Sequence, residues 1–238
     1  MLDFNRSNLS AAQINIAIND AIAAAARATT EAPRPYLGAS IIGHECLRKI
    51  QFDWWCDSIH PLRLRDIFTR GHFFEEISRR HLISAGFHFA PPDALAFTAI
   101  NGLFRGHADG IIIAGPNLPG AYLIYPCLWE HKAINAKGWR ALERDGLEKA
   151  YPQYYAQCLL YMAYLNVTNP ALFTAINADT CERLHLPVPF SAERAQAWSD
   201  RAVRIIEATR AGELLPRFTD DQTDWRCKMC PHRERCWR

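Results

Sequence analysis

Leu103-Phe104-Arg105-Gly106-His107-Ala108-Asp109-Gly110-Ile111-Ile112-Ile113-Ala114, then the interruption Gly115-Pro116-Asn117-Leu118-Pro119-Gly120, then Ala121 through Trp129-Glu130-His131-Lys132-Ala133 sets the architecture of this chain. Two apolar runs around a Gly/Pro turn read as a hairpin of buried strands. In an extended strand residues two apart share a face, so Glu130 and Lys132 project together and His131 points away. A turn centred on Pro119 and Gly120 sets Asp109 opposite Glu130; a turn nearer Asn117 offsets them by a few residues. Either register brings two carboxylates and an ammonium close together on a strand too apolar to be a solvated face.

Outward from the hairpin, helices and strands alternate. Toward the N-terminus the reading gives a helix over Leu9 to Ala28 with Ser10 as N-cap, a linker Glu31 to Pro35, a helix over Glu45 to Cys56, and a longer one over Arg65 to Ala85 stopped by Gly86. A strand over Ala94 to Ile100 precedes the hairpin. After it come helices over Ala136 to Asp145 and Glu148 to Leu165, strands over Ala171 to Ala178 and Arg183 to Phe190, and a helix from the Ser191 cap through Ala211. Residues 1–36 form an N-terminal helix and linker; residues 37–238 form one α/β domain.

At 238 residues, 49% of them hydrophobic, the chain can bury a sizeable core, and its net charge of +2 neither demands nor excludes a nucleic-acid partner. The Ala21 to Ala26 run is too short to span a bilayer, and no targeting segment is visible. Eight cysteines in a chain of this size fit a reducing cytoplasm better than a disulfide framework. Four of them stand out: Cys46, and the C-x2-C-x5-C set Cys227, Cys230 and Cys236. Gathered thiolates suit an iron-sulfur cluster or a tetrahedral zinc, with His44 and His232 nearby as zinc competitors. Cys56, Cys127, Cys158 and Cys181 read as ordinary buried thiols.

Carboxylates joined by a backbone carbonyl are hard oxygen ligands for Mg2+ or Mn2+, which polarises a phosphate and acidifies water. The ligand set expected here is Glu75, Asp109, Glu130 and His131. Glu75 lies about one helical turn after Gly71, with His72 as a weaker choice and Glu76 paired to Arg79 or Arg80. Lys132 would hold or help deprotonate the water and stabilise the charge of the transition state. Gln157 and Tyr161, four apart, share a helix face, and with Tyr154 or Tyr155 they offer a surface for stacking unpaired bases.

Ser40 to Lys49 around Cys46, Gly106-His107-Ala108-Asp109, Glu130-His131-Lys132, Gln157-x3-Tyr161 and the terminal cysteines, in that order, resemble the RecB-like branch of the PD-(D/E)XK nucleases. The likeness is to its iron-sulfur members: CRISPR-adaptation nucleases, AddB-type helicase-nucleases and phage exonucleases. It covers Ser40 to Cys236. It implies a restriction-endonuclease-like core, a central mixed sheet flanked by helices. It also implies a [4Fe-4S] cluster on Cys46, Cys227, Cys230 and Cys236 joining the two ends of the domain. The catalytic set it implies is Asp109, Glu130, Lys132, Gln157 and Tyr161. Where the family often has histidine four after the helix glycine, this chain has Glu75. The implied activity is a Mg2+- or Mn2+-dependent DNA exonuclease preferring single-stranded or frayed ends; the alternative is a cluster-bearing DNA-binding or recombination accessory protein. No G-x4-GK[ST] motif is present, so unwinding would come from a helicase, recombination or CRISPR partner.

Overall fold

The computed structural model describes residues 11–27, 34–56, 62–120 and 123–238. Along the chain these form α1 (Ala11–Arg27), β1 (Leu37–Gly38), α2 (Leu47–Trp55), α3 (Leu62–Ser84), β2 (His88–Phe89), β3 (Ala96–Ala99), β4 (Phe104–His107), β5 (Gly110–Ala114) and β6 (Cys127–Ile134). They continue through α4 (Ala136–Ala150), α5 (Pro152–Tyr164), β7 (Ala171–Asn177), β8 (Arg183–Val188), α6 (Ala192–Arg210), α7 (Trp225–Lys228) and α8 (Arg233–Cys236). The fold is α/β, built on a five-stranded mixed sheet in the order β2-β5-β6-β7-β8, with a second, three-stranded sheet β1-β4-β3 beside it.

Central strands are covered on both faces and read as continuous apolar runs, whereas an edge strand alternates. All seven residues of β7 are buried, while β8 at the edge alternates toward solvent. β6 and β7 run parallel, which a tight turn cannot join; α4 and α5 supply the crossover. Along β6, Leu128 and Ile134 join the large core with α5 and α6, and Cys127 and Trp129 face a smaller cluster with Phe87, Ile112 and Leu172. This period-2 split sends Glu130 and Lys132 toward α5.

The hairpin register is Gly110↔Trp129, Ile111↔Leu128 and Ile112↔Cys127. Continued by one residue, it sets Asp109 opposite Glu130, the alignment of a turn at Pro119 and Gly120. The expected strand over Leu103 to Ala114 is two strands: β4 pairs with β1 and β3, β5 with β2 and β6. The chain changes sheets at Ala108, which is wholly buried and donates its N–H to the Leu95 carbonyl at 2.8 Å. Asp109 stands at this transfer point, released from one ladder before the next begins.

Other boundaries move for local reasons. β6 starts at Cys127, after Pro126, which has no N–H for a ladder; Ala121 and Tyr122 of the expected strand lie outside the described residues. The expected helix over Glu148 to Leu165 is broken at Tyr151 (φ −142°, ψ 69°) and restarts at Pro152, a residue suited to a first helical position. The expected end at Asp145 appears as a break inside α4, where Gly146 takes φ 74°. A 3-10 turn, Pro92–Leu95, occupies the start of the expected Ala94 strand. Gly86 ends α3 at φ 92° as expected of a left-handed cap. Ser191 caps α6 by accepting the Arg194 N–H at 3.3 Å. The Ser10 cap and most of the Glu31 to Pro35 linker lie outside the described residues. No described helix is long and apolar enough to cross a membrane.

Candidate active site

The Asp109 carboxylate accepts the backbone N–H of His131 at 2.8 Å, tying the sheet-switch residue to β6. Lys132 donates to Glu130 and, at 3.1 Å, to the His131 carbonyl, and its Nζ lies 3.8 Å from Asp109. Gln157 on α5 donates its amide to the same Glu130 oxygen at 2.5 Å. The other carboxylate oxygen, Glu130 Oε2, is buried and has no hydrogen-bond partner. On a side chain with no solvent exposure, such an orphan acceptor is costly unless something cationic or protic meets it.

Burial, then the neighbouring Asp109 charge, pushes the Glu130 carboxyl up to about 8. Glu75 on α3 is raised too, by burial and then by Asp109. Burial would depress the Lys132 ammonium, but the Glu130 and Asp109 carboxylates outweigh it and hold it above its ordinary value. Lys132 therefore remains charged, and its Nζ sits 5.4 Å from the Tyr154 ring centroid, a favourable place for a cation. The fold gathers Glu75, Asp109, Glu130, Lys132 and Gln157 into one electrostatic unit with excess negative charge.

His131 joins through its backbone. Its carbonyl meets Lys132 and its N–H holds Asp109, while its ring lies 5.7 Å from Trp129 on the other face of β6. Burial drives that imidazole down to about 4 and leaves its Nε2 without a partner. A ligand role for His131 is thus confined to the carbonyl. His72 points out to solvent, 3.6 Å from Glu75, and Glu76 pairs with Arg80 at 3.3 Å.

The expected stacking surface is not there. Tyr161 is 3% exposed and packs edge-on to Phe97 at 6.0 Å. Its phenol, raised by burial and then by Glu130, bonds Gln157 from behind. Tyr154 stacks between Tyr151 at 5.1 Å and Phe173 at 6.2 Å, and the Arg194 guanidinium covers Tyr155. Tyr161 is core and Tyr154 and Tyr155 are half-buried because α5 packs against the sheet, which helical spacing alone does not reveal. Gly106 escaped the sequence reading in a similar way. A Cβ there would stand 2.3 Å from Phe97 and 2.5 Å from Tyr161, so only glycine lets β4 lie against α5.

The second cluster is formed by the ends of the domain. Cys46, Cys227, Cys230 and Cys236 line one cavity of about 700 Å³. Burial first, then Asp224 and the other three thiols, raises Cys227. His44 Nδ1 accepts the Cys46 N–H at 3.0 Å, and His232 Nε2 is bonded to Asp53 at 2.8 Å. Each histidine has one ring nitrogen engaged, His44 Nδ1 and His232 Nε2, and the four thiols are the soft donors of the cavity. Lys49 and Asp53, ion-paired and four apart on α2, also line it; that spacing in the sequence was the overlooked signal. Of the other cysteines, Cys127 and Cys158 are core and Cys56 is held by Arg235. Cys181 is exposed, contrary to its reading as a buried thiol. Among the described residues no three His, Cys, Asp or Glu side chains enclose a point that a single ion would fill. At the carboxylates Lys132 occupies the intervening space.

No protein-family model matches the chain, and no curated protein matches its sequence. Among solved structures, the alkaline exonuclease LHK-Exo from Laribacter hongkongensis matches with a TM-score of 0.50 at 14% identity, over 81% of this chain and 93% of its own. The same enzyme in complex with dAMP matches with a TM-score of 0.51 at 14% identity, over the same shares. The chain therefore has a restriction-endonuclease-like fold, a mixed sheet flanked by helices. The particular fold it shares is that of an alkaline exonuclease.

Proposed function

We propose that this protein is a divalent-metal-dependent DNA exonuclease. The observation that carries the reading is the orphaned, buried Glu130 oxygen in a cluster with Asp109, whose charge also reaches Glu75, and with Lys132 held charged beside Glu130 and Asp109. A buried carboxylate with two partly exposed ones nearby fits a hard divalent cation, and raised pKa values in such a cluster are typical of functional sites. Glu75, Asp109, Glu130 and the His131 carbonyl would hold Mg2+ or Mn2+, which supplies Lewis-acid activation of water and phosphate. Lys132, kept protonated by its neighbours, contributes positive charge where negative charge grows on the phosphoryl oxygens, and does not act as a base. Gln157 positions Glu130, and Tyr161 positions Gln157.

We assign a [4Fe-4S] cluster to Cys46, Cys227, Cys230 and Cys236, supported by the cavity the four thiols share. Its role is structural, joining α2 to the chain's end. DNA is the proposed substrate by analogy with the exonuclease of the same fold. The test is cleavage of end-labelled linear and covalently closed DNA with Mn2+ or EDTA. Asp109→Ala and Glu130→Ala should abolish metal-dependent loss of label while keeping the iron; wild-type rates in both variants, or equal rates on closed circles, would refute the proposal.

A further inference from the structure

Away from the carboxylates, α6 presents a depression of about 380 Å³ lined by Leu47, Ala197, Trp198, Asp200, Arg201 and Arg204. Arg201 is half-buried: one terminal nitrogen donates to the His44 carbonyl, and its Nε is buried with no acceptor. Its guanidinium carbon lies 5.6 Å from the Trp198 ring centroid, which steadies the group. Burial and then the like charge of Arg204 lower the Arg201 guanidinium, and no carboxylate offsets them. Asp200 lines the same recess, its carboxylate bonded to Gln196 at 2.7 Å. Among the described residues neither Arg201 nor Arg204 forms an ion pair, and the buried Nε of Arg201 lacks an acceptor that an oxyanion would supply.

We infer that Arg201 and Arg204, braced by Trp198, bind a backbone phosphate of a nucleic-acid strand. The inference rests on the DNA-processing reading and adds a contact remote from the chemistry. Residues three apart on a helix are neighbours, and planar guanidinium forks match phosphate oxygens better than an ammonium does. Contacts of this kind fix register without reading bases. Because Arg201 also holds the carbonyl of His44, two residues before Cys46, a strand seated here is aligned against the cysteine lobe.

The probe is a fluorescein-labelled single-stranded oligonucleotide, bound in EDTA across a series of KCl concentrations and followed by anisotropy. Arg204 is exposed, so Arg204→Gln should keep the wild-type melting temperature and iron content. Its plot of log affinity against log salt should be shallower by about 0.7, the loss of one phosphate contact on a single strand. Arg204→Lys should retain most of the slope but bind more weakly, and Arg210→Gln, on the last turn of α6, should match wild type. An Arg204→Gln slope equal to wild type overturns the pocket. So does calorimetric binding of inorganic phosphate that depends on Arg204 while the DNA slope does not, since the site would then serve a free anion. Cleavage by wild type in Mn2+ is measured in parallel. A wild-type enzyme that cuts with an unchanged variant slope sinks the pocket alone; one that neither binds nor cuts sinks the DNA reading as well.

Discussion

The carboxylate site and the cysteine lobe are assembled by opposite means. Asp109, Glu130, Lys132 and Gln157 stand on the sheet and on α5, where ladder register and the packed core determine their positions before any ligand arrives. The cysteines join one loop before α2 to two four-residue helices at the end of the chain. Helices that short are not stable by themselves; around the cavity they are tied to the α2 region by His232 on Asp53 and Arg226 on Glu45, each at 2.8 Å. A fold can hold charges in place by burial, whereas on the proposed reading these distant chain ends are held by a few polar contacts and a shared ligand. Loss of the ligand should therefore cost the lobe its structure and leave the carboxylate site standing.

Reciprocal variants break this comparison most directly. Glu130→Gln should lower cleavage by about 10³-fold or more and leave visible absorbance and iron untouched. Cys230→Ser should remove the iron, about four per chain in the anaerobically purified protein, and lower solubility. If Glu130→Gln loses iron, or Cys230→Ser keeps it, the two regions are not independent.

A backbone test comes next. Gly106→Ala forces a Cβ into Phe97 and Tyr161 and should destabilise the fold by about 1–3 kcal/mol, read as a urea midpoint shift, with iron still bound. An unchanged midpoint would show that β4 and α5 can separate.

The pH dependence of the metal-free protein sharpens the same point. With Glu130 at about 8 in the folded state and near 4.3 in the unfolded chain, the folded state holds the extra proton in between. Its contribution to stability is complete below the lower value and is lost as pH rises to the upper one. Urea midpoints in EDTA should fall from pH 5 to pH 8, and Glu130→Gln should flatten the trend. The smallest effect expected is Tyr161→Phe, which removes only the hydroxyl behind Gln157: a several-fold drop in kcat, rescued by nothing, with the preference between single strands and duplex unaltered. A changed preference would restore the stacking role that burial denies it.

Much of the carboxylate site was legible because period-2 alternation and a Gly/Pro turn are local signals. They bring Asp109 near Glu130 and turn His131 away, while the choice between two registers is made by the ladder itself. Helical spacing alone does not single out Glu75 or Gln157; for Gln157 the likeness to the family's Q-x3-Y helix does. The sheet switch at Ala108 was hidden because its flanks are equally apolar, so nothing local marks a change of partner. Tyr154 and Tyr161 were misplaced for a related reason: whether a tyrosine on a helix is margin or core depends on what packs over it, as Phe97 and Phe173 do here. The cysteines could be grouped by residue type, whereas the Lys49, Asp53 and His232 polar lining depends on how α2 meets the tail.

The two-faced character of β6 has a consequence for assembly. A one-residue slip in its pairing would present Trp129 and His131 where Glu130 and Lys132 belong. Such a misfolded copy would have no acidic pair and, on the proposed function, no site for the metal. The carboxylate cluster thus exists only in chains whose central sheet has closed in register.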